Sequence, residues 1–265
     1  MKKWKYGLLL LAAALMLSGC SKEEEPQTET EPERPDYYVG VEEGNAPYYV
    51  LDAEGNASGF YVELMNTLAE QTGFTYEFRA MSAAEYAAYA AVSEEGDSDA
   101  GEADCDFFLG TLAPEVGDVS TYVQSEPVYE TGLCLLVNRG QGIRETKDLR
   151  SVSVAARAET EEERFSRYLS AKYHADTVVF QDAAGVMSDV GQGYSQAVVL
   201  DAGSAASAMG QNANLKLLTT SEKYFSVHRF TASAGQGIPE EITAGLAQIS
   251  ADGTLGALLQ QAGLQ

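Results

Sequence analysis

The chain has 265 residues, of which 17 are Lys or Arg and 40 are Asp or Glu, so its formal net charge is −23. An acidic surface repels nucleic acid and anionic membrane surfaces, which excludes both as binding partners. With 45% hydrophobic residues, the chain has enough apolar side chains for the core of one or two domains.

The first twenty residues predict export and a lipid anchor. Three lysines precede an unbroken run of ten apolar residues from Leu8 to Leu17, which is too short for a helix that spans about 30 Å of bilayer. Residues 1–19 are therefore predicted to be a signal peptide. The end of this segment, Leu17-Ser18-Gly19-Cys20, resembles the bacterial lipobox, which implies lipidation of Cys20 and anchoring on the outer side of the bacterial cell membrane. An ordinary secretory signal with a chance cysteine is the alternative.

An acidic tether is predicted to follow Cys20, so that residues 20–36 link the anchor to the folded part. The segment from Ser21 to Asp36 contains three Pro, six Glu and no aliphatic or aromatic residue. Such a composition cannot bury enough apolar surface to offset the entropy lost on ordering. A coil of this length spans on the order of 20–25 Å.

The first folded elements are predicted between Tyr38 and Gly73. Tyr38 to Val41 has the pattern of a strand, and Asp52 to Asn56 that of a hairpin turn. The helix that follows Gly59-Phe60 carries its apolar residues at i, i+3, i+4 and i+7 on one face, namely Tyr61, Leu64, Met65 and Leu68. Gly73 supplies the residue that ends such a helix.

Strand and helix patterns then alternate along the chain. Strands are predicted at residues 75–79, 105–109, 131–137, 151–155, 178–180, 197–200, 216–218 and 224–231. Helices are predicted at residues 83–92 and 160–173, and a short one between 180 and 197. Thr160 and Glu163 are predicted to form a capping box at the start of the second. A further helix begins at Pro239, with Ile242, Leu246 and Ile249 on one face. This alternation predicts an α/β fold with largely parallel sheets.

The remaining cysteines and acids give weaker signals. Cys105 and Cys134 both lie in apolar runs, so we expect two buried free thiols; a disulfide stays an alternative because spacing alone does not decide it. The spacing of Asp97, Asp99 and Gly101 resembles a calcium loop, but the required downstream Glu is missing. We expect no calcium there.

Several motifs resemble extracellular solute-binding proteins of family 3, the polar amino acid branch of the ABC-transporter receptors. The opening motif combines Ala46-Pro47-Tyr48, a D-x-x-G turn at Asp52, and Gly59-Phe60 before Glu63. Further matching segments are GEADCDFFLGTLAPEV, SEPVYETGLCLLVN, QAVVLD and KYFSVHRF with the helices after it. The resemblance covers about residues 38–260.

The resemblance implies a two-lobe α/β fold of the type II periplasmic-binding-protein kind. Its ligand cleft lies between lobes that two crossover strands join. Lobe I is expected at residues 37–130 and 225–265, and lobe II at 131–224. The implied partners are a small polar solute and the permease of an ABC importer, with the receptor a monomer.

The family's binding site maps onto this chain with departures. Such sites hold a ligand carboxylate with an arginine and a Gly-Thr-Thr-like segment, and hold the ammonium with an aspartate. Asp201 matches that aspartate, and Thr111 matches the hydroxyl that follows a small strand. Asn45 stands where an aromatic is usual, although Tyr48 nearby can serve instead. The arginine position holds Val116, and Arg157-Ala158-Glu159 replaces the Gly-Thr-Thr-like segment.

Two hypotheses account for the missing arginine. Either Arg157 supplies the guanidinium from the other lobe, or the ligand is a cation, an amide or a small amine that suits Asp201 and Tyr48. Each candidate also has a structural alternative: a helix N-cap for Asp201, hairpin packing for Tyr48, turn hydrogen bonding for Thr111, and a surface ion pair for Arg157.

The leading functional hypothesis is a membrane-tethered receptor for a small polar solute. The alternative is a sensor or degenerate receptor that keeps the fold without high-affinity amino acid binding. An enzyme is not expected, although some proteins of this fold resemble cyclohexadienyl dehydratases, because the sequence shows no nucleophile–base pair, metal set or phosphate loop. His174 and His228 are too few and too scattered to predict a metal site, and we expect no cofactor.

Overall fold

The computed structural model describes residues 34–94, 105–113 and 121–264, with the backbone alone at 89–94. The predictions for the signal peptide, Cys20 and most of the tether lie outside these residues. The same holds for Val116 and for the segment with Asp97 and Asp99. Among the described residues no helix is long and apolar enough to cross a membrane.

The first sheet contains β1 (Tyr37–Val41), β4 (Tyr76–Ala80), β5 (Phe107–Gly110), β6 (Tyr122–Gln124) and the long strand β12 (Phe225–Ser233). Their order in the sheet is β4-β1-β5-β12, and β6 also pairs with β12. A separate hairpin joins β2 (Val50–Leu51) to β3 (Ala57–Ser58). Helices α1 (Phe60–Thr72) and α2 (Ala83–Glu94) belong to this part of the chain.

The second sheet is built around β7, which has β10 on one side and β11 on the other, with β8 and β9 beyond β10. Its strands are β7 (Tyr129–Asn138), β8 (Ser153–Arg157), β9 (Asp176–Phe180), β10 (Ala197–Asp201) and β11 (Leu215–Leu218). The helices between them are α3 (Glu161–Tyr173), α4 (Ala183–Gln192) and α5 (Ala202–Gln211), with short 3-10 turns at Arg139–Gln141 and Thr146–Leu149.

Two long strands join the sheets. The first residues of β7, Tyr129 to Gly132, pair antiparallel with Phe225 to His228 of β12 (Phe225–Ser233). Beyond that crossing, β7 runs into the second sheet and β12 into the first. We use "first lobe" and "second lobe" for the parts of the chain built on the two sheets. The lobe boundaries at 130/131 and 224/225 stay predictions.

Each lobe has its own hydrophobic core. The core of the first lobe packs α1 and two C-terminal helices, α6 (Glu240–Ala251) and α7 (Thr254–Gln261), against its sheet. The second lobe has a cluster on each side of its sheet, one centred on Phe165 of α3 and one on Val186 of α4. Because helices cover both faces of this sheet, its central strands are buried. All five residues of β10, for example, are buried.

Most predicted elements are confirmed with small shifts at their ends. The apolar face of α1 is buried as expected, and Gly73 ends the helix in the left-handed conformation with its N–H bonded to the carbonyl of Ala69. Gly59 precedes the helix at φ 118°, where an added Cβ would overlap the carbonyl oxygen of Tyr48. Glycine at this position therefore lets the hairpin approach the helix closely enough to place Tyr48 against it.

Two predictions about local structure are wrong. The sheets are mixed rather than largely parallel, because both crossing strands pair antiparallel with their neighbours. The capping box at Thr160 is absent: the Thr160 hydroxyl donates to the carbonyl of Arg157, and the Glu163 carboxylate accepts from the N–H of Glu159. Cys105 and Cys134 do not form a disulfide; Cys105 is buried as expected, whereas Cys134 is only partly buried.

Candidate functional site

The five residues predicted to bind ligand all lie in the cleft between the lobes, and all are buried. They are Asn45, Tyr48 and Thr111 from the first lobe, and Arg157 and Asp201 from the second. Their contacts form two groups, one centred on Asp201 and one on Arg157. We describe these as the aspartate group and the arginine group.

The aspartate group satisfies Asp201 from several directions. This residue ends β10 and caps α5, where its Oδ1 accepts from the N–H groups of Gly203 and Ser204 at 2.9 and 3.0 Å. The Ser204 hydroxyl lies 2.7 Å from Oδ2 and 3.3 Å from the Asn45 side-chain oxygen. Tyr48 from the first lobe donates its hydroxyl hydrogen to Oδ1. The helix-cap role expected as the alternative for Asp201 is thus present together with a contact across the cleft.

The arginine group surrounds a guanidinium that is only 1% exposed. Arg157 donates from Nη1 to Glu42 at 2.6 Å, and from Nη2 to Glu162 and to the Thr111 hydroxyl, the last at 3.3 Å. Because Glu162 is in the first turn of α3 and Glu42 follows β1, the guanidinium is held by carboxylates from both lobes. The surface ion pair considered for Arg157 is wrong, since its acidic partners are buried with it.

Glu42 has a second contact in the other lobe. Its Oε1 accepts from the backbone N–H of Ala183 at 2.6 Å, at the first residue of α4. The N-terminus of a helix carries free N–H groups and a partial positive charge. One carboxylate of the first lobe is therefore bound by a guanidinium and by a helix N-terminus of the second lobe.

The buried charges do not balance. Among the buried residues that the structure describes, three acids, Glu42, Glu162 and Asp201, accompany the guanidinium of Arg157. Burial raises the pKa of Glu42 against the opposing effect of Arg157. Burial also acts to raise the pKa of Asp201, but His228, Arg157 and its hydrogen bonds outweigh it and lower the pKa of Asp201 below its usual value. Acidic groups therefore outnumber basic ones among the described residues of the cleft.

A buried histidine lies beside the aspartate group. His228 is at the crossing of the two long strands, and its Nδ1 lies 2.6 Å from the Tyr61 hydroxyl. Burial lowers the pKa of His228 to about 4, so the ring is neutral at pH 7. Its Nε2 has no hydrogen-bond partner among the described residues. The ring centroids of Tyr48 and His228 are 4.2 Å apart, which places this histidine against the candidate site.

Two cavities lie along the cleft. One of about 110 Å³ lies between the loop after β1 and the second lobe, with Asn45, Arg157, Ala183 and Ser204 in its lining. A second of about 310 Å³ is lined by Pro47 and Tyr129 on one side and by the start of α5 on the other. Binding sites for small molecules commonly measure about 300–1,000 Å³, so the cavity at the arginine group is small.

Four further residues belong to the site without having been predicted to bind ligand: Glu42, Glu162, Ser204 and His228. Glu42 follows the carboxyl end of a buried strand, the usual place for ligand contacts in open α/β sheets, and this signal was available. Glu162 lies between Glu161 and Glu163 at the start of α3, where the sequence does not distinguish it from its neighbours, but it is fully buried and they are not. Among the described residues no set of three His, Cys, Asp or Glu side chains is placed to hold a metal.

Comparison with known proteins supports the same family as the motifs. Residues 37–264 match the family model of bacterial extracellular solute-binding proteins, family 3. No curated protein sequence matches the chain. Many solved structures match the chain, and three of them are described next.

The first is an ancestral arginine-binding protein bound to arginine, 19% identical, with a TM-score of 0.69 and with 85% of this chain and 96% of that chain covered. The second is the arginine-, lysine-, histidine-binding protein ArtJ from the thermophilic bacterium Geobacillus stearothermophilus, at 15% identity, TM-score 0.69, and 84% and 93% coverage. The third is the ancestral amino acid-binding protein AncCDT-1, a precursor of cyclohexadienyl dehydratase, at 22% identity, TM-score 0.67, and 84% and 93% coverage. At these identities the likeness establishes the fold.

Proposed function

This chain belongs to the bacterial extracellular solute-binding proteins of family 3, and from that membership we propose that it is a receptor that delivers a small polar solute to the permease of an ABC importer. It has the mixed α/β fold of type II periplasmic binding proteins, with two lobes and a cleft between them. A cleft between lobes that can rotate about two strands gives ligand-dependent closure.

The ligand in this proposal is a small amine or another organic cation. The observation that carries it is the charge of the cleft, where three buried acids face one arginine. A cation that enters would offset this excess, whereas a carboxylate would add to it. Tyr129, whose ring lies near that of Tyr48 beside Asp201, lines the cavity of about 310 Å³ and offers a face for a cation–π contact.

The receptor in this proposal is held at the outer face of the cell membrane by lipid chains on Cys20, with residues 20–36 as a tether. The support is the sequence: a short apolar run that ends in a lipobox-like motif, followed by an acidic segment without apolar residues. Such a tether would let a monomer search for its permease within on the order of 20–25 Å of the anchor.

A sensor or degenerate receptor is the second candidate, and a specific observation favours it. All five predicted ligand-binding residues already contact other buried protein groups, and the cavity beside Arg157 measures about 110 Å³. A protein whose site is satisfied by its own side chains could keep the closed shape without a solute. No catalytic role is proposed, although one structural relative is a precursor of a dehydratase.

A thermal-shift screen with matched compounds tests the proposed ligand class. Agmatine and arginine differ only in the α-carboxylate, as do cadaverine and lysine. A ligand at one hundred times its Kd adds about 2.7 kcal/mol to the free energy of unfolding, so the decarboxylated member of a pair should raise the melting temperature while its amino acid does not. Stabilisation by the amino acids alone would overturn the cationic ligand, and no response to any solute would favour the sensor. Asp201→Ala should abolish any stabilisation.

A further inference from the structure

The contact between Glu42 and the second lobe has the features of a bound ligand. Glu42 directly follows β1 of the first lobe and is 5% exposed. Both of its carboxylate oxygens are bonded in the second lobe, Oε2 to Arg157 and Oε1 to the N–H of Ala183. Among the described acids of the cleft, only Glu42 accepts hydrogen bonds from two donors of the opposite lobe.

Those two donors together form an anion-binding position. The guanidinium of Arg157 presents N–H groups suited to a carboxylate, and the first N–H of α4 stands at the positive end of a ten-residue helix. The Nε of Arg157 is buried and has no partner among the described residues. Nothing about Arg157 and Ala183 requires the bound carboxylate to belong to the protein.

We propose that Glu42 fills the anion-binding position of the cleft and thereby determines the charge of the ligand. Solutes with a free carboxylate are excluded, because the Glu42 carboxylate already occupies the position that would bind theirs. Cations do not need that position and can therefore bind. This inference rests on the proposed receptor function, which it deepens by naming the residue that selects the ligand.

Displacement of Glu42 by an incoming carboxylate is unfavourable. Once displaced, the side chain would be left buried without its arginine, beside the other acids of the cleft. The loss of one partner from a buried ion pair lowers the affinity by roughly two to three and a half orders of magnitude. A cation avoids this cost, because it is attracted by Asp201 and by the buried Oε2 of Glu162, which has no hydrogen-bond partner among the described residues, and it does not displace Glu42.

Chemical rescue tests the inference without knowledge of the natural ligand. The substitution Glu42→Ala deletes a CH₂–COO⁻ group, which acetate replaces atom for atom. In the purified Glu42→Ala protein, sodium acetate should therefore raise the melting temperature by about 5 °C or more near one hundred times its Kd. Sodium chloride at the same concentration should not.

The controls use neighbouring residues. Glu43→Ala removes the adjacent acid, which is exposed, and should respond to acetate no more than the wild type does. The double variant Glu42→Ala/Arg157→Ala should lose the rescue, because the guanidinium is gone. Equal acetate responses in the wild type and in Glu42→Ala, or rescue that survives without Arg157, would overturn the inference.

A second measurement keeps the inference testable if Glu42→Ala does not fold. Glu42→Gln keeps the side-chain shape and removes the charge that joins the lobes. Its radius of gyration from small-angle X-ray scattering should exceed that of Glu43→Gln, since a weaker contact lets the lobes open. Identical radii would contradict the inference.

The two proposals fail in different ways. Acetate rescue in Glu42→Ala, together with no solute response in the wild type, would support the filled anion position and contradict the proposed receptor function. Conversely, if the wild type binds a free amino acid as tightly as Glu42→Ala does, the receptor function would be supported and the proposed role of Glu42 contradicted.

Discussion

The Tyr48 hydroxyl donates a hydrogen bond to Asp201 across the cleft, so a hairpin residue of the first lobe is joined to the residue that caps α5 in the second. Tyr48 is fully buried and stacks on Tyr61, whose hydroxyl meets His228 at the crossing strands. A line of contacts therefore runs from the cleft to the strands about which the lobes would turn.

Substitution of Tyr48 by Phe should destabilise the protein by about 1.5–3 kcal/mol, because Asp201 would lose its donor from the first lobe. The remaining partners of Asp201, Gly203 and Ser204, belong to its own helix. Urea unfolding followed by circular dichroism measures the change. Tyr49→Phe is the matched control, since Tyr49 packs on Phe78 and its hydroxyl has no hydrogen bond among the described residues; equal losses in both variants would contradict the prediction.

Substitution of Arg157 by Ala should cost about 3–5 kcal/mol of unfolding free energy. The loss would leave Glu42 and Glu162 buried without their cation. Arg167→Ala is the control, because the Arg167 side chain is 66% exposed in its pair with Glu163 and such pairs contribute at most about 1 kcal/mol. Urea unfolding of both variants checks the contrast, and a cost below 1 kcal/mol for Arg157→Ala would show that the buried acids find other partners or take up protons.

The fold was predictable from sequence where the determining signals are local. The apolar spacing of α1 and the glycine after it lie within fifteen residues of one another, and both behave as expected. The face of α6 with Ile242, Leu246 and Ile249 is likewise buried. The antiparallel pairing of the crossing strands joins residues almost one hundred positions apart, and strand patterns alone carry no information about such partners.

The site was predicted in part for the same reason. Tyr48, Asp201 and Arg157 were named from the resemblance, and their convergence could be expected once the lobes were assigned. Glu42 was missed because an acid that follows a strand is most often solvated, and only the distant residues Arg157 and Ala183 make its burial favourable. An unbalanced buried charge appears only when elements from both lobes are placed together.

Substitution of Gly203 by Ala should disturb the closed cleft. An added Cβ would lie 2.5 Å from the Tyr48 hydroxyl oxygen and 2.6 Å from the Leu264 side chain, so both side chains or the start of α5 must move. We expect a loss of about 1–3 kcal/mol and a larger radius of gyration in small-angle scattering. Gly210→Ala in the same helix meets nothing within 4 Å and should stabilise by about 0.4–1 kcal/mol. A Gly203→Ala protein as stable and compact as Gly210→Ala would contradict this contact.

Acidification should weaken the protein through His228. Burial lowers the pKa of His228 from 6.5 to about 4 in the folded state, so between these values the unfolded chain binds a proton that the folded protein does not. The contribution of His228 to stability is complete above pH 6.5 and falls as the pH drops toward 4, by on the order of 3 kcal/mol. The groups that face the ring are Tyr61, Asp201 and Arg157.

Comparison of variants isolates this contribution. Glu42 changes the free energy of unfolding in the opposite direction. Because its pKa is raised in the folded state, its contribution to stability is lost as the pH increases above about 4.5. Urea unfolding between pH 4 and pH 7 should therefore be compared between wild type and His228→Gln, which retains Glu42. The wild type should lose more stability on acidification than His228→Gln does. Identical slopes in the wild type and His228→Gln would contradict the prediction, because they would show that folding does not change the proton affinity of His228.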